Sequence, residues 1–140
     1  MSIEAGPQRA DSTLVALDEL RARVSQVDDR LFMFNEVPVQ TPFTLDVLFD
    51  RLEEITAGLD RFAYVVDLSR VKRPNAQVRE RLRHRVDRIH PRLVHVAVAV
   101  GGNAVIRAVA KLAAFAIGFR SFTIHASLDE AIEACRRALR

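Results

Sequence analysis

Phe62-Ala63-Tyr64-Val65-Val66-Asp67-Leu68 is the stretch on which the fold turns. It is a short, bounded run of aromatic and β-branched residues, and it reads as a buried strand. Helical patterns flank it. Upstream, Leu45, Leu48, Leu52, Ile55 and Leu59 step by three and four residues into one apolar stripe. Thr41-Pro42 offers that helix a cap and a first-turn proline, and Gly58 lies where it is expected to stop. Downstream, Asn75 can cap a helix from Ala76 to about Ile89, with Val78, Leu82, Val86 and Ile89 inward and Pro91 ending it. Leu93 to Val100 is a valine-rich strand closed by Gly101-Gly102. A strand–helix–strand unit demands parallel pairing with a crossover helix, so the class is α/β.

Farther out, Leu14, Leu17, Leu20, Val24 and Val27 have helical spacing, while Leu20, Ala22 and Val24 alternate as a strand would. The expectation is a strand ending near Val27 after a short helical or irregular lead-in. Asp28-Asp29 makes a tight turn, and Leu31-Phe32-Met33-Phe34 returns as the second strand of a hairpin. Toward the other end, residues 104–118 read as helix and Ser121 to His125 as a short strand. Ser127 with Glu130 forms a capping box before a last helix aligning Leu128, Ile132, Cys135 and Leu139. The sum is one α/β domain over residues 13–140: an N-terminal β-hairpin, then alternating strands and helices, about five strands and four main helices. A flexible polar tail, residues 1–12, precedes it.

The 140 residues are 49% hydrophobic and 28% charged, which fits one globular domain and excludes wholesale disorder. No apolar run is long enough for a membrane span, and no signal-peptide pattern opens the chain. The lone cysteine, Cys135, excludes an internal disulfide framework and any CxxC site. A cytoplasmic location is expected. The net charge of +3 is unevenly distributed. Residues 70–92 carry nine Arg and Lys against Glu80 and Asp87, leaving 12 basic and 16 acidic groups elsewhere. One surface is therefore basic on a mildly acidic body.

Tyr64-Val65-Val66-Asp67-Leu68-Ser69-Arg70-Val71 resembles the strand-to-loop signature of STAS domains, the modules named for sulfate transporters and anti-sigma-factor antagonists. That signature runs apolar-apolar-Asp-Leu-x-x-Val, then Asp-Ser-Ser/Thr-Gly opening the next helix. In element order, about residues 20–140 resemble the small stand-alone proteins grouped with STAS and Sec14-type lipid-transfer folds. The resemblance implies a non-catalytic protein-interaction or regulatory module, with a nucleotide- or lipid-binding module as the alternative. In the antagonist branch, a partner kinase phosphorylates a serine at the start of the helix after this loop, and the added charge breaks an interface. Here Asn75 stands at the family's Asp, and Ala76 and Gln77 at its hydroxyl pair. The family's phosphoacceptor is not retained, and no phosphorylation is expected at that position.

The candidate site follows from strand polarity, because open α/β sheets bind at the carboxyl ends of their strands. It comprises Asp67, Ser69, Arg70, Lys72, Arg73 and Asn75 after one strand and Gly101, Gly102 and Asn103 after the next. The glycine turn lacks the P-loop Lys-Ser/Thr and a full GxGxxG. No nucleophile–base pair, carboxylate dyad or cofactor fingerprint is evident, so neither an enzyme nor a cofactor is expected. His84, Asp87, His90 and His95 lie among arginines that would repel a cation, and no metal is expected. Cys135 sits on an apolar stripe as a core thiol. Arg79, Arg81, Arg83, Arg85, Arg88 and Arg92 are placed on the solvent sides of their helix. Without interleaved aromatics or a helix-turn-helix pattern, they make a solvated arginine face rather than a nucleic-acid interface. Helix 104–118 is apolar nearly all round, with Ile106, Ala110, Ala113 and Ile117 forming a second stripe. That stripe is the expected seam of a homodimer, with cover by a partner, peripheral lipid contact or burial against the last helix as the alternatives.

Overall fold

Five strands form one sheet in chain order, β1 (Val24–Asp28), β2 (Leu31–Asn35), β3 (Phe62–Asp67), β4 (Leu93–Ala99) and β5 (Phe122–His125). The computed structural model describes residues 17–37, 39–70, 75–102, 104, 107, 108, 119 and 121–140. The first two strands are an antiparallel hairpin, and β2 to β5 run parallel. Helix α1 (Pro42–Ile55) joins β2 to β3, α2 (Ala76–Ile89) joins β3 to β4, and α3 (Leu128–Leu139) ends the chain. Residues 17–22 form a helical lead-in to β1, as expected. Of the expected helix 104–118, Ala104, Arg107 and Ala108 are helical. Its second stripe, Ile106, Ala110, Ala113 and Ile117, lies outside the described residues, as does the expected tail 1–12.

Strand alternation sorts the core into two layers. Phe32, Phe34, Phe62, Tyr64, Val66, Val96 and Val98 face α1 and α2, meeting Leu45, Leu48, Phe49, Leu52, Val86 and Ile89. Phe34 sits edge-on to Tyr64, with ring centroids 5.0 Å apart. The opposite face is made of smaller residues: Ala63, Val65, Ala97 and Ala99 meet Ala131, Ala134 and Cys135 of α3. Alanine against alanine lets α3 lie close to the sheet. Burial pushes the Cys135 thiol up to about 12, which makes it an unreactive core group.

Helix ends follow local chemistry. Thr41 caps α1 by accepting from the Thr44 amide at 3.1 Å, while the Thr44 hydroxyl accepts from the Thr41 amide at 2.8 Å. This reciprocal box uses a threonine where Glu is usual. The far end of α1 comes earlier than Gly58, because Thr56 caps it, its amide and hydroxyl both donating to the Leu52 carbonyl. Ser127 accepts from the Glu130 amide at 3.2 Å, which is the forward half of the expected capping box.

Arg85 departs from expectation. It was expected in solvent but is only 6% exposed. The reason is periodicity: position 85 lies seven residues after Val78, hence on the same helix face. Its guanidinium meets Asp46 at 3.3 Å, Asp50 at 2.7 Å, and Glu53, all on α1. Arg81 reaches Asp46 at 3.7 Å and Arg88 reaches Glu53 at 3.0 Å. The basic run of α2 thus answers the acidic run of α1, and the two helices are clasped side by side. Replacing Arg85 by Met would leave Asp50 without its cation and Asp46 and Glu53 with Arg81 and Arg88 alone. We expect a loss of about 2 kcal/mol in urea unfolding, below the cost of breaking a fully buried pair because Asp50 is exposed. The exposed Arg83→Ala should stay within about 0.5 kcal/mol.

Candidate interaction site at the carboxyl ends of the strands

Asn35, Asp67, Ala99 and His125 form one register row across the last residues of β2, β3, β4 and β5. The loops that leave this row carry the residues singled out in the sequence. Backbone bonds continue past the row, Leu68 N–H to the Ala99 carbonyl at 2.8 Å and Val100 N–H to the His125 carbonyl at 3.0 Å. Asp67 then turns the chain: its carboxylate accepts from the Ser69 amide at 3.0 Å and the Ser69 hydroxyl at 2.7 Å. Both loops meet at Gly101, where φ is +62° and an added Cβ would lie 3.6 Å from the Ser69 Cβ. Ser69, Arg70 and Gly102 are exposed.

Asn75 caps α2, its side-chain oxygen accepting from the Val78 amide at 2.9 Å. Ala76 and Gln77 follow as the exposed first turn. The first turn of α2 thus opens on Ala76 and Gln77, without a hydroxyl. Lys72, Arg73 and Asn103 lie outside the described residues.

Two further groups were not legible beforehand. The first joins β2 to α1. Arg23 donates to the Asn35 and Glu36 carbonyls at 3.2 and 3.1 Å. The Gln40 amide donates to the Glu36 carboxylate, and the Thr44 hydroxyl donates to the Gln40 carbonyl. Burial raises the Glu36 carboxyl to about 7, although Gln40 and Arg23 pull the other way. The four-residue spacing of Glu36, Gln40 and Thr44, broken by Pro38 and Pro42, was the available signal.

A second group spans the β4–β5 edge on the α3 side. His95 Nδ1 lies 2.6 Å from Ser121 Oγ, and its Nε2 lies 2.9 Å from Thr123 Oγ1. His125 Nε2 reaches the same threonine oxygen at 2.7 Å. Thr123 has one hydroxyl hydrogen for two rings, so one ring must donate to it. Both imidazoles are held below their usual range by burial first, and His95 also by its neighbour His125. The histidines weighed as a cluster do not converge: His84 pairs with Glu80 at 3.2 Å on the exposed side of α2, and His95 belongs to this edge ladder. Among the described residues, no group of three or more His, Cys, Asp or Glu is arranged to hold a metal.

Arg83 and Arg92 of the basic run also have local partners. Arg83 pairs with Glu80 at 3.1 Å, and Arg92 donates to the Thr56 and Leu59 carbonyls at 2.7 and 3.1 Å over the Phe62 ring.

No family model and no curated protein matches the sequence. Among solved structures, the chain is similar to the crystal structure of an uncharacterized DUF3478-family protein with a SpoIIAA-like fold from Shewanella loihica PV-4. The two share 13% identity at a TM-score of 0.64, over 80% of this chain and 90% of that one. The fold is therefore SpoIIAA-like, the STAS-type arrangement expected from the Tyr64–Val71 stretch. Among the described residues, no helix is long and apolar enough to cross a membrane.

Two measurements probe this geometry. Gly101→Ala forces a Cβ onto a left-handed backbone and should cost about 1 kcal/mol. Gly102→Ala meets open space and should stay within about 0.5 kcal/mol in the same unfolding assay. Glu36 supplies a pH test. Its folded-state carboxyl, near 7, lies above the ordinary 4.5. Its contribution to stability is therefore complete below about 4.5 and lost as pH rises toward 7. Glu36→Gln removes that titration while keeping an acceptor for Gln40. Relative to the parent, it should gain about 2 kcal/mol between about pH 5 and pH 8, read from urea midpoints.

Proposed function

We propose that this chain is a non-catalytic, STAS-like regulatory module that works by protein–protein contact through the loops after β3 and β4. The observation that carries the reading is the use made of Asp67. At the strand ends, where a catalytic carboxylate would be placed, it accepts both the Ser69 amide and the Ser69 hydroxyl. Its Oδ1 holds a turn. The turn abuts Gly101 of the neighbouring loop, and the two make an exposed ledge of backbone and short side chains. Such a ledge offers shape and hydrogen bonds to a partner rather than a reactive constellation. A SpoIIAA-like fold supports the reading by analogy.

A photo-crosslinking amino acid at position 69 or 102, compared with one at position 30 at the opposite end of the sheet, tests this. The expected result is a discrete protein adduct in cell lysate from 69 and 102 and none from 30. Native mass spectrometry on the same preparation should then show the bare chain. A retained small molecule with no protein adduct would overturn the reading in favour of ligand binding.

A further inference from the structure

Val39 and Phe43 are the large apolar side chains that stand out in solvent among the described residues, each 59% exposed. They flank the start of α1, Val39 two residues before the cap Thr41 and Phe43 in the first turn. This is the end of the molecule that carries Ser69 and Arg70, because β2 and β3 are parallel neighbours whose last residues, Asn35 and Asp67, are in register. Exposed apolar groups beside a polar ledge are the usual composition of a docking surface.

The charge around them is mainly positive, with Arg23 and Arg70 at this end beside Asp67. Helices α1 and α2 both begin here, clasped by Arg85, and neither has an acidic residue in its first turn. No acid of their own first turns offsets these two positive dipole ends. Exposed Arg70 adds a full charge. Of the nearby carboxylates, Asp46 is paired with Arg81 and Arg85 and Glu36 is bonded by Gln40, while Asp67 is bonded by the neutral amide and hydroxyl of Ser69.

We propose that this end docks an acidic segment of a protein partner, with an apolar side chain of that segment packed on Val39 and Phe43 and its carboxylates facing Arg70 and the N-termini of α1 and α2. The inference rests on the interaction reading above and adds the partner's chemistry. A protein segment fits better than an anionic membrane because the field of a helix terminus fades within about one turn. It rewards a carboxylate brought into contact, not a distant charged sheet.

The test is panning of random displayed peptides against the whole chain at low salt. Enriched sequences should combine Asp or Glu with Leu, Ile or Phe. A fluorescent synthetic copy should bind about tenfold more weakly to the double variant Val39→Ser, Phe43→Ser. Arg70→Glu should weaken it by a similar factor and flatten its salt dependence. All three positions are exposed, so circular dichroism should report an unchanged fold. A basic or uncharged consensus, or binding indifferent to these variants, would overturn the proposal. So would sedimentation with phosphatidylglycerol vesicles that the same variants abolish, since that assigns the surface to a membrane. If crosslinking from position 69 captures a protein while the peptides carry no acids, only the partner chemistry fails; if neither experiment finds a protein or peptide, both readings fail.

Discussion

Strands placed side by side in chain order, and joined by crossovers of one hand, constrain everything else in this molecule. Right-handed crossovers between successive parallel strands fall on the same face of the sheet. Accordingly α1 and α2 pack into one apolar layer, on Phe34, Tyr64 and Val96. A parallel sheet cannot leave its other face to water. With the crossovers α1 and α2 on one side, the duty of covering β3 and β4 on the other falls to the C-terminal helix. The composition reflects that division. The two-helix layer is built from Phe, Leu and Val, whereas α3 meets the sheet through Ala63, Ala97 and Ala99 against Ala131 and Ala134.

The same constraint builds the site. Parallel strands in register end together, so Asn35, Asp67, Ala99 and His125 share one row, and each crossover helix starts just beyond it. The α1–α2 clasp through Arg85 therefore acts at a distance. By fixing two helices side by side, it also fixes the separation of their N-termini, where the candidate surface lies. An interhelical ion cluster that looks like a stability device is, in this architecture, a positioning device as well. Its partners are unequal: Asp50 is exposed and Glu53 is not, so the geometry depends chiefly on Glu53 and Asp46.

Periodicity carried the fold reading a long way, and its failures have physical causes. The Phe62–Leu68 run and the stripes of α1 and α2 identified the α/β class, because burial imposes period on sequence directly. Asn75 and Thr41 were readable as caps because capping is local chemistry. Arg85 was misplaced because residue type was weighed over position: seven residues after Val78, an arginine faces inward if the neighbouring helix supplies the acids. That supply, from Asp46, Asp50 and Glu53 some 32 to 39 residues away, is a tertiary fact. The Glu36–Gln40–Thr44 chain and the His95–Thr123–His125 ladder were hidden for a related reason. Each depends on which loop folds over which strand, or which strands pair, and neither residue set is clustered along a single helix face.

Asn75 shows how one residue sets the character of the site. An aspartate at this position would cap α2 equally well, since either side chain accepts from the amide three residues on. It would also bring a formal negative charge to the positive end of the helix, offsetting part of the dipole. Asparagine satisfies the Val78 amide at 2.9 Å and brings no charge, so the field of α2 is left facing solvent. Ala76 and Gln77, next in line, have no hydroxyl through which a phosphate could reverse that field. In the resembled antagonists, a kinase adds charge to a serine at the start of this helix. In this chain, neither the neutral cap nor the two residues after it brings a charge to the start of α2.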